Sequence, residues 1–384
     1  MRKLRTLLAL PFAAFAVIVV RLLRPLILVR FGRLATERLG HLAIEPAVYL
    51  CEREHSHRAV LDVFYHSELV CNEQLRRMWA RILRVSSFAQ LADRLNRRIP
   101  GWRAHVLLLG RHAQADPERL LDSTPGHLAF TEDEEHRGRE ARRALGIPDD
   151  APFICFINRD PAYLESRPAV RDWRYHDYRD SSITPYVAAA EALTQRGYFA
   201  VRMGAVVREP LASNNPRIID YATTARSDFL DVYLAARCRF VIAPSSGFAM
   251  LALAFRKPLV MVNIVPFSDM ASFHCSGNIH IPKKYWARDE DRWMTFREIA
   301  ASALCRAYGS QHYAQVGVEL IENTESEIRD AAIEMEERLK GDWHDRPEDE
   351  QMQDAFWTVL GVAPSHRRAR IGTKFLRQNC ELLQ

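Results

Sequence analysis

"FVIAPSSGFAMLALAFRKPLVMVNIV" runs from Phe240 to Val265. A short apolar, β-branched run stops at Pro244. Two serines and a glycine follow, a second apolar run of helical composition begins at once, and Lys257-Pro258 leads into "LVMVNIV". The reading is strand, tight turn, buried helix, turn, strand. Strands apolar at nearly every position are buried on both faces, as in a parallel sheet with helices on either side.

Working outward, the same alternation continues. "SDFLDVYLAARC" reads as a helix capped by Ser227, and "RIIDYA" (217–222), "YFAVRMG" and "FICFIN" (153–158) read as strands. Between the last two, Thr184 caps and Pro185 opens a helix whose Tyr186, Ala189, Ala190 and Leu193 share one face, with Gly197 ending it. Before them, "TEDEEHRGREARRALGIPDD" carries a Thr131/Glu134 capping box, acids in its first turn and arginines in its last turns, and stops at Gly146 and Pro148. Its charges suit a solvated face, and the chain divides near 146–151. Further back, "LILVRFG" (26–32) is a strand opening an earlier βα unit. After about 320 the pattern turns helical, with a second capping box at Thr324 and Glu327.

The expected architecture is therefore α/β, divided into 25–148 and 149–320, then a helical segment over 321–384. Residues 1–24 stand apart. Arg2, Lys3 and Arg5 precede 14 uncharged, mainly apolar residues, Leu7–Val20, and Arg21 and Arg24 follow. A spanning helix needs about 20 apolar residues, and no small-residue cleavage site follows. The segment reads as an interfacial anchor at anionic lipid. A buried first helix and an uncleaved signal-anchor are the alternatives.

Composition bounds the function. The 384 residues are 48% hydrophobic and 26% charged, with a net charge of +5, an excess too mild to point to nucleic acid. The basic tail "SHRRARIGTKFLRQ" has no aromatic platform beside it. Seven scattered cysteines without a CxxC pair fit a reducing compartment. Cys51, His55 and His57 lack a fourth nearby ligand and fit a surface turn better than zinc. Asp289-x-Asp291 matches the DxD of metal-dependent sugar transfer only superficially, lying in a charged loop or helix start. No metal site is expected.

In an open α/β sheet, ligands bind beyond the carboxyl ends of the strands. The polar residues there are Asn158-Arg159-Asp160, Arg202 with Gly204, Thr223-Thr224, and Ser245-Ser246-Gly247. Arginines, hydroxyls and a helix start make a phosphate cradle. Each has a plainer role: Ser245 as a helix cap, Arg202 paired with a carboxylate. The chain lacks GxxxxGK[ST], GxGxxG and GxSxG.

Taken together, "VRFGRLATERLGHLAIEPAVYL", "FINRDPAYL", "YHDYRDSSITPYVAAAEALTQRGYFAVRMG" and "SSGFAMLALAFRKPLVMVN" resemble a bacterial family of glycosyltransferases found with surface-polysaccharide genes. The second half is also similar to the donor half of heptosyl- and fucosyltransferases. The resemblance implies a GT-B-like architecture, two Rossmann-like domains facing a cleft, with a nucleotide-sugar donor in the second. It implies transfer to a glycan or lipid-linked acceptor at the cytoplasmic face of the inner membrane, without a cofactor. Arg159, Arg202, Ser245 and Ser246 are then candidates to stabilise the departing diphosphate. An inverting enzyme needs a general base on the acceptor side. His41 is the first candidate and Glu37 and Glu45 are its rivals, though His41 would serve equally as a packed or capping histidine. "YHDYRD" offers His176, Asp177, Tyr178, Arg179 and Asp180 for substrate contacts, or a plain helix entry. Two other functions compete: a pyruvyl-type transferase, and a non-catalytic module binding glycan or nucleotide at the membrane.

Overall fold

The computed structural model describes residues 2–56, 59–110, 120–166, 174–272 and 275–384. His57, part of the zinc motif considered above, lies outside them. The first half holds α1 (Arg2–Leu22), β1 (Leu28–Leu34), α2 (Leu39–Glu54), β2 (Val60–His66), α3 (Glu73–Ile82), α4 (Ser87–Asn96), β3 (Val106–Leu107) and α5 (Glu132–Ala144). Its three strands form a parallel sheet in the order β2-β1-β3. Gly32 lies inside β1 rather than ending it, since pairing with β2 continues to Leu34, and its lack of a side chain leaves room for the Phe64 ring, 2.8 Å from where a Cβ would stand.

The second half begins with β4 (Phe153–Phe156), α6 (Thr184–Gln195), β5 (Phe199–Arg202), β6 (Ile218–Ile219) and α7 (Asp228–Arg237). The opening stretch then supplies β7 (Val241–Ala243), α8 (Gly247–Ala254) and β8 (Leu259–Ile264), as its pattern requires. Every residue of β4, β7 and β8 is buried. With β9 (Ile279–Pro282) they belong to a seven-stranded parallel sheet. A small antiparallel sheet, β10 (Lys284–Ala287), β11 (Arg292–Trp293) and β12 (Val318–Ile321), sits beside it. The chain ends through α9 (Glu325–Lys340), α10 (Pro347–Val359), β13 (Arg370–Ile371) and α11 (Thr373–Gln378). The basic tail is thus not wholly helical: β13 pairs with β9 and forms one edge of the large sheet.

Local signals explain most boundaries. Both expected capping boxes form, at Thr131/Glu134 and Thr324/Glu327. Ser227 Oγ accepts from the Leu230 N–H. Thr184, read as a cap, is instead the first helical residue, and Ser182 Oγ accepts from its N–H. At the Ser-Ser-Gly turn the cap is Ser246, whose Oγ accepts from the Ala249 N–H.

One hydrophobic core runs through both halves, from Leu42, Val48 and Trp79 to Phe153, Val241 and Leu251. Helices α2 and α8 pack against each other across the boundary, and their first turns meet glycine on glycine. A Cβ on Gly247 would lie 3.0 Å from the Gly40 backbone nitrogen. Asp228 adds a polar link: its carboxylate accepts from the Glu73 N–H at the start of α3, and its carbonyl accepts from the Asn72 side chain. Helix α1 buries Ala13 and Val17, the latter against Phe31, Tyr65, Ala89 and Ala92. Among the described residues no helix is long and apolar enough to cross a membrane.

Candidate active site

Beyond the carboxyl ends of β4, β5 and β7 lies a cavity of about 680 Å³. Its second-half wall comes from Asn158, Arg159 and Asp160 after β4, Gly204 after β5, and Ser245, Ser246 and Gly247 after β7. Its first-half wall is the start of α2, with Arg38, Gly40, His41 and Glu45. The topology dictates this placement: every strand of the large sheet points the same way, so the polar residues ending several strands share one rim.

The rim is electropositive. Arg159 is mostly buried, its Nε 3.3 Å from Asp180 Oδ1. Burial, reinforced by the nearby Arg179 charge, lowers the Arg159 pKa to about 10. Burial lifts Asp180 to about 6 although Arg159 opposes the shift. Arg179 donates to the Ser245 carbonyl at 2.5 Å, which ties the 174–179 turn to the Ser-Ser-Gly turn. His176 also lines the cavity, and burial together with the charges of Arg179, Arg159 and Arg38 lowers its pKa to about 4. Buried polar atoms on this wall without a protein hydrogen-bond partner among the described residues include Ser245 Oγ and Asn158 Oδ1. Unsatisfied buried polar atoms on a cavity wall are where a polar ligand or water is expected.

Across the cavity, His41 and Glu45 stand one turn apart on α2, with His41 Nδ1 2.6 Å from Glu45 Oε1. The Glu45 side chain is almost buried, while His41 is partly open to the cavity. Gly110, at φ +88°, closes over the carboxylate: a Cβ there would lie 2.5 Å from Glu45 Oε1. A carboxylate accepting from Nδ1–H leaves Nε2 as the free lone pair, the arrangement of an oriented histidine base.

Of the residues singled out from the sequence, His41, Glu45, Arg159, Gly204, Ser245, Ser246, Gly247, His176, Tyr178 and Arg179 line the cavity. Asp180 stands behind the wall through Arg159. The others are elsewhere. Arg202 is fully buried and turned into the fold, donating to the Glu209 carbonyl and pairing with Asp220 at 3.3 Å. Thr223 and Thr224 bond back to the Asp220 carbonyl at the surface. Glu37 pairs with Arg33 at 2.6 Å, off the wall. Asp177 is not part of the lining either. Asp289 and Asp291 occupy the turn between β10 and β11, outside the cavity. No group of His, Cys, Asp or Glu among the described residues is arranged to hold a metal ion.

Sequence reasoning placed His176 here but missed Arg38, the Arg226–Asp231 pair and the Asp269–Tyr308 pair, all on the wall. Arg38 had a signal, since it precedes the helix start that carries His41. The other four come from loops and a helix whose approach only the folded chain shows.

No family model matches the chain, and no curated protein matches it. Among solved structures it is similar to a family 9 glycosyl transferase from Veillonella parvula, at 12% identity and TM-score 0.36, covering 60% of this chain and 79% of that one. It is also similar to the E. coli ADP-heptose lipopolysaccharide heptosyltransferase II, at 16% identity and TM-score 0.34, covering 60% and 84%. The iron-containing dodecameric glycosyltransferase TibC of enterotoxigenic E. coli gives 15% identity and TM-score 0.31 over 61% and 57%. Likenesses of this size leave the site to be read from its own geometry.

Proposed function

We propose that the chain is a glycosyltransferase of GT-B-like architecture, moving a sugar from a nucleotide-sugar donor to a glycan or lipid-linked acceptor. The observation that carries the reading is the cavity itself: an arginine and serine rim at strand ends faces an oriented histidine on the other half of the chain. The resemblance of its motifs to surface-polysaccharide glycosyltransferases supports the same reading, with the work done at the cytoplasmic face of the inner membrane as part of the proposal.

The chemistry follows from the charges. An acceptor hydroxyl attacks the anomeric carbon of the donor, the new C–O bond forms, and the bond to the diphosphate oxygen breaks. His41 Nε2 takes the hydroxyl proton while Glu45 holds the ring. The departing diphosphate gains negative charge, which Arg159, Arg179, the Ser245 hydroxyl and the free N–H groups at the start of α8 are placed to stabilise. A single displacement of this kind inverts the anomeric centre. These arginines perform the charge-stabilising role that a divalent ion performs in other sugar transferases.

The test is thermal unfolding across UDP, GDP, CMP and ADP and their common sugars, with and without EDTA. One nucleotide class is expected to raise the midpoint in both conditions. Arg179→Ala is expected to remove that rise while leaving the unliganded midpoint near the wild type. Arg202→Ala is expected to lower the unliganded midpoint instead, at a cost of about 3 kcal/mol, because it leaves Asp220 without its cation. Absence of a shift across the whole panel would sink the donor reading.

A further inference from the structure

Helix α1 is amphipathic in place, not only in composition. Its inner edge, Ala13 and Val17, is buried on α4 and β1. Its outer edge is an apolar stripe: Leu8, Phe12, Phe15, Ile18 and Leu22, continued by Leu26, are all exposed. Phe12 is 71%, Phe15 68% and Leu22 75% exposed. Seven of the seventeen exposed large hydrophobic residues of the described chain fall between Leu8 and Leu26, so this is a concentrated patch and not scattered surface. Contiguous exposed apolar surface rimmed by charge marks an interaction site.

The charge around it selects the occupant. Residues 1–24 contain five basic residues and no acid. Arg21 does not reach outward; it donates to the Pro100 carbonyl at 2.8 Å and to Asn96 Oδ1 at 2.9 Å, and so fastens the end of α1 to the turn after α4. That turn brings a second basic group beside the stripe. Arg94, Arg97, Arg98 and Arg103 are exposed there, and the single acid in residues 87–110, Asp93, is buried and bonded to Tyr65 and Arg97. An apolar stripe with cations along it and no exposed acid is complementary to an anionic bilayer surface. It is not complementary to a second copy of itself, which would set like charges against each other.

We propose that α1 is an in-plane membrane contact: its Phe12–Phe15 edge enters the headgroup and acyl boundary of an anionic leaflet, while its Ala13–Val17 edge stays docked on the protein. The helix neither spans nor detaches. Spanning would strip Val17 from the Phe31, Tyr65, Ala89 and Ala92 cluster. The proposal rests on the membrane-side placement given above and is independent of the transfer chemistry.

The test uses the full chain and sedimentation with vesicles. Phosphatidylcholine vesicles holding about 30% phosphatidylglycerol are expected to capture the protein, and pure phosphatidylcholine about tenfold less. Phe12→Glu with Phe15→Glu is expected to lower capture by the anionic vesicles at least about tenfold. It should leave the unfolding midpoint and the nucleotide-induced shift unchanged, since both rings are exposed and away from the cavity. A second variant, Arg98→Glu with Arg103→Glu, keeps the stripe and is expected to reduce capture by anionic vesicles alone. Failure of the wild type to bind anionic vesicles, or equal capture of the Phe12/Phe15 variant, overturns the proposal. So does a wild-type dimer in sedimentation equilibrium that the same variant dissolves, which would give the stripe to a second copy. A wild type that binds vesicles but no nucleotide would overturn the transferase reading and leave this one standing.

Discussion

At the scale of single residues the site divides into a base and a set of cations. His41 is held by Glu45 at 2.6 Å, and the carboxylate is fenced by Gly110. His41→Ala is expected to lower kcat by about 10²–10⁴-fold with little change in donor KM, because the imidazole acts on the acceptor proton and not on the nucleotide. Glu45→Gln is expected to cost about tenfold in kcat, since it leaves the ring in place but unoriented; steady-state kinetics separate the two. His176 reports on the cations. Arg179, Arg159 and Arg38 help hold its pKa near 4, after burial. A bound diphosphate neutralises those arginines and favours the imidazolium. Donor binding is therefore expected to take up a proton between pH about 4 and 6.5 and to tighten as pH falls through that window. Without ligand the sign reverses for stability: the unfolded chain protonates first, so the His176 contribution is lost as pH falls from about 6.5 to about 4. Calorimetric titration in buffers of different ionisation heat measures the uptake, and His176→Asn should reduce it to the share that Asp180, beside Arg159 and lifted by burial to about 6, contributes.

At the scale of elements, close packing of helices fixes where the site residues stand. Helices α2 and α8 approach through Gly40 and Gly247, which sets His41 opposite the Ser-Ser-Gly turn. Helix α5 meets α7 in the same way: a Cβ on Gly138 would fall 2.1 Å from the Tyr233 ring. Gly138→Ala is expected to destabilise the protein by about 1–3 kcal/mol, because Tyr233 is packed against Phe130 and Phe229 and has no room to yield. Chemical denaturation would measure it, and an unchanged midpoint would show that the two helices separate easily. The elements themselves were largely readable. Capping boxes, the Ser227 cap and the all-apolar strands around Phe240–Val265 are local chemistry, which acts whatever the rest of the chain does. The misses were equally local. Thr184 and Ser182 are both good caps, and Ser245 and Ser246 likewise; which hydroxyl reaches the free N–H depends on backbone angles that composition does not carry.

At the scale of the molecule the two halves behave as one packed body. Their hydrophobic residues join a single core, and Asp228, Arg256 and Tyr233 each contact groups of the first half. Arg256 donates to the Thr124 carbonyl at 3.1 Å across the boundary. Calorimetric unfolding is expected to show one cooperative transition, with the van't Hoff and calorimetric enthalpies agreeing. Two separated transitions would show that the shared core is not energetically continuous.

The sequence by itself determined the alternation of strands and helices, the direction of the sheet and therefore which residues end its strands. Periodicity and capping are properties of neighbours in the chain. It also picked out Arg159 and the two serines as polar residues near such ends, while His41 and Glu45 entered as candidate bases through the resemblance to glycosyltransferases. It did not tell Arg159 from Arg202. Both stand at the carboxyl ends of apolar strands, yet Arg159 faces the cavity while Arg202 is buried against Asp220 and the Glu209 carbonyl. Nor did it place Arg38 or Tyr308 on the wall, or show which edge of α1 is covered. Those outcomes depend on which segments, far apart in the chain, come together to bury apolar surface, and only the folded packing of the whole molecule decides them.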